Sequence, residues 1–396
     1  MDLKKYADVM VYALKAARRG AKFKAGDNIL ISFDAPALPL AEEIYAKLIA
    51  EKFNVVARQT LSEKMQKTFY AKGSDAQLKF QPPWEKVFIE NLNGLIAIIA
   101  PQDLKNLKDI EPSRIALAAL AGKSLRELRN KREEQGLFSW TLCNYPTVEH
   151  AKQAGLSLKE YQAQVAKACF LNEKNPVAKF AEVTSELQEI AKTLSSMQIE
   201  TLRTQSKDMD FEILLGQNRR FISASGNNVP SFEVFTSPDW RGTKGIYYSD
   251  LTSFRSGNYV KEIKLEFKAG RVIKASAKQG EKFLKKMLAM DRGAAQIGEY
   301  SLTDNRFSKI NRFMADTLFD ENYGGKFGNS HIALGASFSD AYLGNMAKMT
   351  KELKKQLGFN DSALHWDLVN TQDKLVTAKL KNGRRVTIYE KGRFLI

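Results

Sequence analysis

Residues 28–53 read NILISFDAPALPLAEEIYAKLIAEKF, and this stretch predicts a buried strand followed by an amphipathic helix. The strand is the apolar run NILISF at residues 28–33. In the helical part, five apolar residues lie near one stripe: Leu38, Leu40, Ile44, Leu48 and Phe53. A helix with one apolar stripe packs that stripe against another element.

The same alternation of strand and helix continues through the first half of the chain. Further short apolar runs are NVVAR (54–58), GLIAIIAP (94–101) and FSWTLCN (138–144), separated by helical patterns such as PSRIALAALAGKSLRELRNK. Strands that alternate with helices predict a parallel sheet. We therefore predict an α/β N-terminal domain with a mostly parallel sheet over residues 1–172. No GxGxxG motif follows these strands, so nothing indicates dinucleotide binding.

The second half has a different character. The segment at residues 171–197, LNEKNPVAKFAEVTSELQEIAKTLSSM, starts with Asn and Pro and is then predicted to be helical to Met197, as the connection between domains. Short strands follow in IETLRT, DFEILLG and FISASG, and two hairpins are predicted around Ala269-Gly270 and Asn382-Gly383. We predict an α+β C-terminal domain over residues 173–396.

The composition excludes several classes of protein. The 396 residues include 61 Lys+Arg against 45 Asp+Glu, a net charge of +16, and only two cysteines. Cys143 and Cys169 are too few for a disulfide framework, which favours a reducing, cytoplasmic location. The longest apolar run, residues 95–100, is far shorter than the ~20 residues of a membrane span, so we expect no membrane partner. The basic residues are interleaved with Glu, so we expect no specific nucleic-acid partner, although a basic nucleic-acid-binding protein remains an alternative.

Candidate metal ligands concentrate in the second half. His365 and Asp367 are two residues apart in a strand-like run, which places both on one face; they are a pair of metal ligands or simply a hydrogen-bonded pair. Glu233 lies among apolar residues in NNVPSFEVFTSP, where a carboxylate is costly unless it is paired, bound to metal or turned outward. Glu299 follows a helical pattern in DRGAAQIGEY, where it is a candidate ligand or the partner of an ion pair. Glu321 lies in LFDENYGG after a Phe-rich run, where it is a candidate ligand or a turn residue.

The remaining histidines differ in their setting. His331 lies in SHIALG, within the second half, whereas His150 lies in PTVEHAKQAG and is predicted on the surface of a helix.

Taken in order, the motifs EVFT, AAQIGE, LFDEN, HIALG and HWD resemble those of the dinuclear metalloaminopeptidases of the aminopeptidase T, aminopeptidase S and PepS family. The likeness extends to GDNILISFDAPALPLAEEIY and NYPTVEHAKQAGLSLKEYQAQVAKACFL in the first half, and so covers essentially the whole chain. It implies a metal-dependent aminopeptidase that removes N-terminal residues from oligopeptides with a hydroxide bound to a dinuclear centre. It also implies a homodimer and two divalent ions per subunit (cobalt, zinc, manganese or magnesium).

The resemblance further implies the residues of the site. The metal ligands would be six: Glu233, Glu299, Glu321, His331, His365 and Asp367. Glu299 would also be catalytic.

One position departs from the family. Its pattern after the first histidine is His-x-Ala-x-Gly-x-x-Tyr, with a catalytic tyrosine, whereas this chain reads HIALGASF and has Phe338 there. A phenylalanine has no hydroxyl to donate to a tetrahedral intermediate. Tyr342, four residues further on, is the candidate replacement. The alternative is a catalytically weak or inactive peptide-binding relative.

Overall fold

The computed structural model describes residues 1–223 and 226–396. The chain forms two compact units. The first comprises Met1–Glu182 and residues 226–231, and the second comprises Val183–Ser223 and Phe232–Ile396. The predicted domain boundary between residues 172 and 173 stays a prediction. Within the described ranges, no helix combines the length and apolar character that a bilayer crossing requires.

The helices are concentrated in the first half of the chain. The first ten are α1 (Leu3–Ala16), α2 (Leu38–Ala50), α3 (Glu63–Lys72), α4 (Asp75–Lys79), α5 (Pro83–Asn91), α6 (Pro112–Ala121), α7 (Lys123–Glu134), α8 (Val148–Ala154), α9 (Leu158–Ala168) and α10 (Pro176–Ser196). In the second half, the described residues form the short α-helices α11 (Glu281–Leu288), α12 (Thr317–Asp320) and α13 (Lys351–Gln356).

The strands are concentrated in the second half. Those up to residue 236 are β1 (Asn28–Phe33), β2 (Asn54–Gln59), β3 (Gly94–Ile99), β4 (Ser139–Asn144), β5 (Ile199–Ser206), β6 (Asp210–Leu214), β7 (Ile222–Ser223), β8 (Asn228–Val229) and β9 (Glu233–Thr236). The later strands are β10 (Asp239–Ser249), β11 (Ser253–Arg255), β12 (Asn258–Lys268), β13 (Arg271–Gln279), β14 (Ile297–Thr303), β15 (Asn329–Gly335), β16 (His365–Asn370), β17 (Lys374–Leu380), β18 (Arg385–Glu390) and β19 (Arg393–Phe394).

The first unit is built on a parallel sheet, as predicted. In the described residues its strand order is β2-β1-β3-β4-β8, and every pairing is parallel. The stripe on α2 is formed by Leu40, Ile44 and Leu48, which are fully buried. Leu38 is 46% exposed because it is the first residue of the helix, so the buried stripe begins at Leu40.

His150 was predicted on a helix surface, and this prediction is wrong. The side chain is fully buried at the start of α8, where its backbone N–H donates to the hydroxyl of the N-cap residue Thr147. The imidazole lies 3.3 Å from the Asn144 amide and stacks on the Tyr161 ring with centroids 5.6 Å apart. These partners lie on neighbouring elements, so a local helical pattern could not show that this face is covered.

The second unit is α+β and mainly antiparallel, as predicted. One sheet of nine strands in the described residues has the order β11-β12-β10-β6-β5-β17-β18-β19, with β13 beside β12. Both predicted hairpins are confirmed as the pairs β12–β13 and β17–β18. Gly270 and Gly383 have φ of +80° and +86°, the left-handed conformation that tight hairpin turns require. Of the predicted strand FISASG, Ile222–Ser223 forms β7, whereas residues 224 and 225 lie outside the described residues.

The other sheet of the second unit has two contrasting faces. Its described strands follow the order β16-β15-β14-β9-β7, all antiparallel. One face is a core lined by buried side chains such as Tyr300, Ile332 and Trp366. Tyr300 bonds to the Thr204 hydroxyl of β5, so this face packs against the nine-stranded sheet. The opposite face carries the predicted ligands.

Candidate metal centre

Four adjacent strands supply five of the six predicted ligands. Glu233 begins β9, Glu299 lies in β14, His331 in β15, and His365 and Asp367 in β16. In an antiparallel sheet, directly opposed residues point to the same face, as do residues two apart on one strand. The registers satisfy this rule throughout: Thr303 opposes Glu233, Ser301 opposes His331, and Ala333 opposes both Glu299 and Asp367. The fold therefore brings these five side chains to one face.

A bulge in β14 sets the position of Glu299. The pairing with β15 runs from Thr303 to Glu299 and then jumps to Ile297, leaving Gly298 as the extra residue. A β-carbon at Gly298 would collide with the carbonyl oxygens of Gly335 and Ala336. A glycine thus allows the two strands to approach closely beside Glu299.

The five side chains form two groups that share one carboxylate. Glu233, Glu299 and His331 form one group, and Glu299, His365 and Asp367 form the other; in each, the potential ligand atoms lie within 4.8 Å of one another. Glu299 Oε1 lies 3.4 Å from His331 Nε2, and its Oε2 lies 3.5 Å from His365 Nε2. Each oxygen of Glu299 therefore faces a different group.

Two further distances complete the groups. His331 Nε2 lies 3.3 Å from Glu233 Oε2, and His365 Nε2 lies 3.4 Å from Asp367 Oδ1. Ser301 donates its hydroxyl to Glu233 Oε2 at 3.4 Å.

Both histidines are oriented by backbone carbonyls. His331 Nδ1 lies 3.2 Å from the carbonyl oxygen of Glu321, and His365 Nδ1 lies 2.9 Å from that of Ala336. A carbonyl only accepts, so in each ring Nδ1 carries the hydrogen. In the neutral imidazole this leaves the lone pair of Nε2 directed at the carboxylates. Metal-binding histidines are commonly held in this way.

The electrostatics of the cluster favour a bound cation. Burial raises the pKa of Glu299 to about 7, and the nearby charge of Glu233 raises it too. Burial lowers the pKa of His331, but its hydrogen bonds to Glu233 and Glu299 outweigh this and raise the pKa well above its usual value. Without metal, protonated imidazole thus balances the buried carboxylates. A divalent ion would supply that positive charge and release the protons.

The second group shows the same balance. The His365 charge holds the pKa of Asp367 down at about 2 although burial raises it. The pKa of His365 is raised to about 9, because Asp367 and Glu299 outweigh the opposing effect of burial. Arg255, at the end of β11, also lowers the pKa of Asp367.

Glu321 has a distinct position, at the end of α12 rather than on a strand. It is buried, and burial together with the charges of Asp367 and Glu233 raises its pKa well above the usual value. Its side chain is therefore close to the cluster, although it belongs to neither group of three among the described residues. Its carbonyl orients His331, as described above.

Phe338 and Tyr342 lie in the segment after β15. The ring of Phe338 packs on the imidazole of His365, with centroids 4.6 Å apart. Tyr342 instead packs on Phe359, with centroids 6.5 Å apart, and joins the apolar cluster around Ala341.

The donor set fits divalent metal ions. Imidazole nitrogen and carboxylate oxygen together suit zinc, cobalt and manganese, and carboxylates also suit magnesium. Glu299 could bridge two ions, since it presents one oxygen to each group.

Sequence reasoning missed the residues that support the ligands. Ser301 and Ala336 carry no motif, and the carbonyl of Ala336 acts through backbone alone. Ser301 had one available signal, its place two residues after Glu299, which puts both on one face of a strand.

A family model described as thermophilic metalloprotease (M29) matches residues 1–394. Aminopeptidase PepS of Streptococcus thermophilus is 25% identical over 417 residues, covering 100% of this chain and 98% of its own length. Aminopeptidase AmpS of Bacillus subtilis (strain 168) is 26% identical, covering 97% of each protein.

A solved structure shares the fold. Wild-type AmpT from Thermus thermophilus matches with a TM-score of 0.80 at 20% identity, covering 100% of this chain and 99% of that one. The predicted fold class is thereby confirmed.

Proposed function

The chain belongs to the thermophilic metalloprotease (M29) family, and on this premise we propose that it is an aminopeptidase acting through two divalent ions at the β9–β14–β15–β16 face. The curated relatives, all named aminopeptidases, support the hydrolase class. The single observation that carries the dinuclear centre is Glu299, whose two oxygens face two separate groups of ligands.

The bound ions would polarise the scissile carbonyl, activate a water for attack and receive the free amino terminus of the substrate. Glu233 and His331 would hold one ion, His365 and Asp367 would hold the other, and Glu299 would contribute one oxygen to each. Glu321 is the sixth proposed ligand. Glu299 is also the proposed catalytic residue, a role that rests on the family resemblance of its motif AAQIGE.

The substrates we propose are oligopeptides with a free amino terminus. We further propose that the protein is a cytoplasmic homodimer that uses cobalt, zinc, manganese or magnesium. The cytoplasmic location is supported by the cysteine content, since the two cysteines, Cys143 and Cys169, are too few for a disulfide framework. The dimer rests on the family resemblance, and light scattering would report twice the chain mass of 44.6 kDa if it is correct.

Hydrolysis of Leu-p-nitroanilide tests the activity. We expect release of p-nitroaniline that a chelator abolishes and that added cobalt or zinc restores. Hydrolysis that survives complete metal removal would contradict the proposal, as would no hydrolysis of this substrate or of short peptides by the fully loaded protein.

Phe338 favours a second candidate, a peptide-binding relative with weak or no catalysis. Removing one donor to a tetrahedral intermediate typically lowers the rate by ~10²–10³. We therefore expect Phe338→Tyr to raise turnover of a Leu-containing dipeptide, measured as kcat at saturating metal. An unchanged kcat with intact metal content would show that no hydroxyl is needed at this position.

Tyr342 is the proposed donor if a hydroxyl is needed from elsewhere. Tyr342→Phe would then lower kcat without changing the metal content. An unaffected kcat would remove Tyr342 from the site.

A further inference from the structure

The candidate ligands differ in their exposure to solvent. The side chains of His331, Glu233 and Glu299 are 1%, 6% and 5% exposed. Those of His365 and Asp367 are 27% and 12% exposed. Within this unit, a molecule that arrives from solvent therefore meets the centre at the His365 side.

Two phenylalanines, Phe338 and Phe235, stand beside that open side, and we call this pair the aromatic wall. The Phe338 ring is tilted by 59° against the His365 ring at 4.6 Å. Its other neighbour is Phe235, edge-on at 6.0 Å. Phe338 is half-buried and Phe235 is 8% exposed, so the wall offers solvent mainly the ring of Phe338.

The fold fixes the position of the aromatic wall relative to the ligands. Phe235 lies two residues after Glu233 on β9 and therefore on the same face. The backbone N–H of Phe338 donates to Ser237 Oγ at 2.9 Å. Two residues before Phe338, the carbonyl of Ala336 accepts from His365 Nδ1. The same short segment thus fixes both the wall and one of the ligands.

We propose that the aromatic wall receives the N-terminal side chain of the substrate and selects apolar residues there. This inference rests on the proposed function, because it requires the substrate's amino terminus to lie at the metal centre. When an apolar side chain of the substrate packs against Phe338, the contact removes that side chain and the Phe338 ring from water, which favours binding.

The experiment compares the substrates Leu-p-nitroanilide and Ala-p-nitroanilide in three variants at saturating zinc. Phe338→Ala removes the exposed ring, and Phe338→Leu keeps an apolar surface. Trp84→Ala is the matched control, since Trp84 is an exposed aromatic residue, at 63%, on α5 of the other unit. Titration calorimetry of the zinc-loaded proteins with leucine hydroxamate and glycine hydroxamate gives a second readout that does not depend on turnover.

We expect Phe338→Ala to reduce the preference for Leu over Ala, as a ratio of kcat/KM, by ~10-fold or more. The preference for leucine hydroxamate over glycine hydroxamate should fall by a similar factor, whereas Phe338→Leu and Trp84→Ala keep most of both preferences. An unchanged ratio in a Phe338→Ala protein that retains its metal would overturn the inference.

Failure of the proposed function is distinguishable from this outcome. If the proposed function is wrong, the wild-type protein cleaves neither substrate. The affinities for leucine hydroxamate and glycine hydroxamate then test the inference without turnover. Equal affinity of the wild type for both hydroxamates would also overturn it.

Discussion

Glu299 is the residue on which both groups of candidate ligands depend. Its replacement leaves each group with two ligands, whereas replacement of Glu233 or Asp367 weakens only one group. We expect Glu299→Gln to weaken binding of both ions by more than the ~10–100-fold typical of changes outside the ligand shell. Titration calorimetry with zinc measures the affinity and the number of ions.

Glu233→Gln is the matched control for that experiment, because it is an equally buried glutamate in one group only. It should lower the affinity of one ion and leave the other. If Glu299→Gln instead loses a single ion with the other unaffected, Glu299 does not bridge the two sites.

Lys374 is a buried amine outside the metal centre. It is 3% exposed at the start of β17, and burial lowers the pKa of its ammonium from 10.5 to about 7, an effect that Asp250 and Asp373 only partly oppose. The unfolded chain therefore binds more protons between these pH values, so stability rises as the pH rises from about 7 to 10.5. Below neutral pH, this shift lowers the free energy of unfolding by an amount on the order of 5 kcal/mol.

We expect Lys374→Met to raise the free energy of unfolding near pH 7, and the gain to shrink towards zero as the pH approaches 10.5. Urea denaturation across this range measures it. Lys379→Met, on the same strand but 39% exposed, is the control and should show little change at any pH. A gain for Lys374→Met that is independent of pH would refute the titration as its cause.

Among the elements, β14 is the most important for the geometry of the site, because it supplies Glu299 and contains the bulge at Gly298. We expect Gly298→Ala to push β14 away from the Gly335 and Ala336 carbonyls, and so to displace Glu299 and the carbonyl that orients His365. Zinc affinity should fall by ~10-fold or more, as for other losses of ligand orientation, together with the melting temperature of the metal-free protein.

Gly122→Ala is the control for the bulge, because a β-carbon there has only ordinary contacts between α6 and α7. It should leave zinc affinity unchanged. Equal affinity for zinc in Gly298→Ala and the wild type would mean that the bulge does not position Glu299.

Some elements were predictable from the sequence because their signals are local. The β1 strand, Asn28–Phe33, was predicted with its observed bounds, since it is a continuous apolar run. The placement of His365 and Asp367 on one face followed from a spacing of two in a strand. Glu299, in contrast, followed a helical pattern in the sequence but lies on β14, where the bulge comes from contact with a distant strand.

At the scale of the whole molecule, the sequence predicted the fold class of each half. It did not predict that a short segment from the second half belongs to the first unit. The parallel sheet of the first unit is completed by β8, Asn228–Val229, which pairs with β4. Two residues are too few for a periodic pattern, and their partner lies more than eighty residues earlier in the chain. Such a pairing is set by tertiary contacts, which propensity does not report.

The net charge of +16 also belongs to this scale, and it proved a poor guide to function. Charge of this kind bears on solubility and on nonspecific association. The scarce histidines were more informative, because two of the three lie together with buried carboxylates on one sheet face.

The central claim is that the four-strand face holds two divalent ions, and metal analysis of the purified wild-type chain tests it most directly. After supplementation with zinc or cobalt and removal of the unbound ion, we predict two ions per chain, with stronger binding at pH 8 than at pH 6. The pH dependence follows because His331 and His365, whose pKa values are raised without metal, must lose protons to bind it. Retention of no metal, or of one ion at most, would contradict the account.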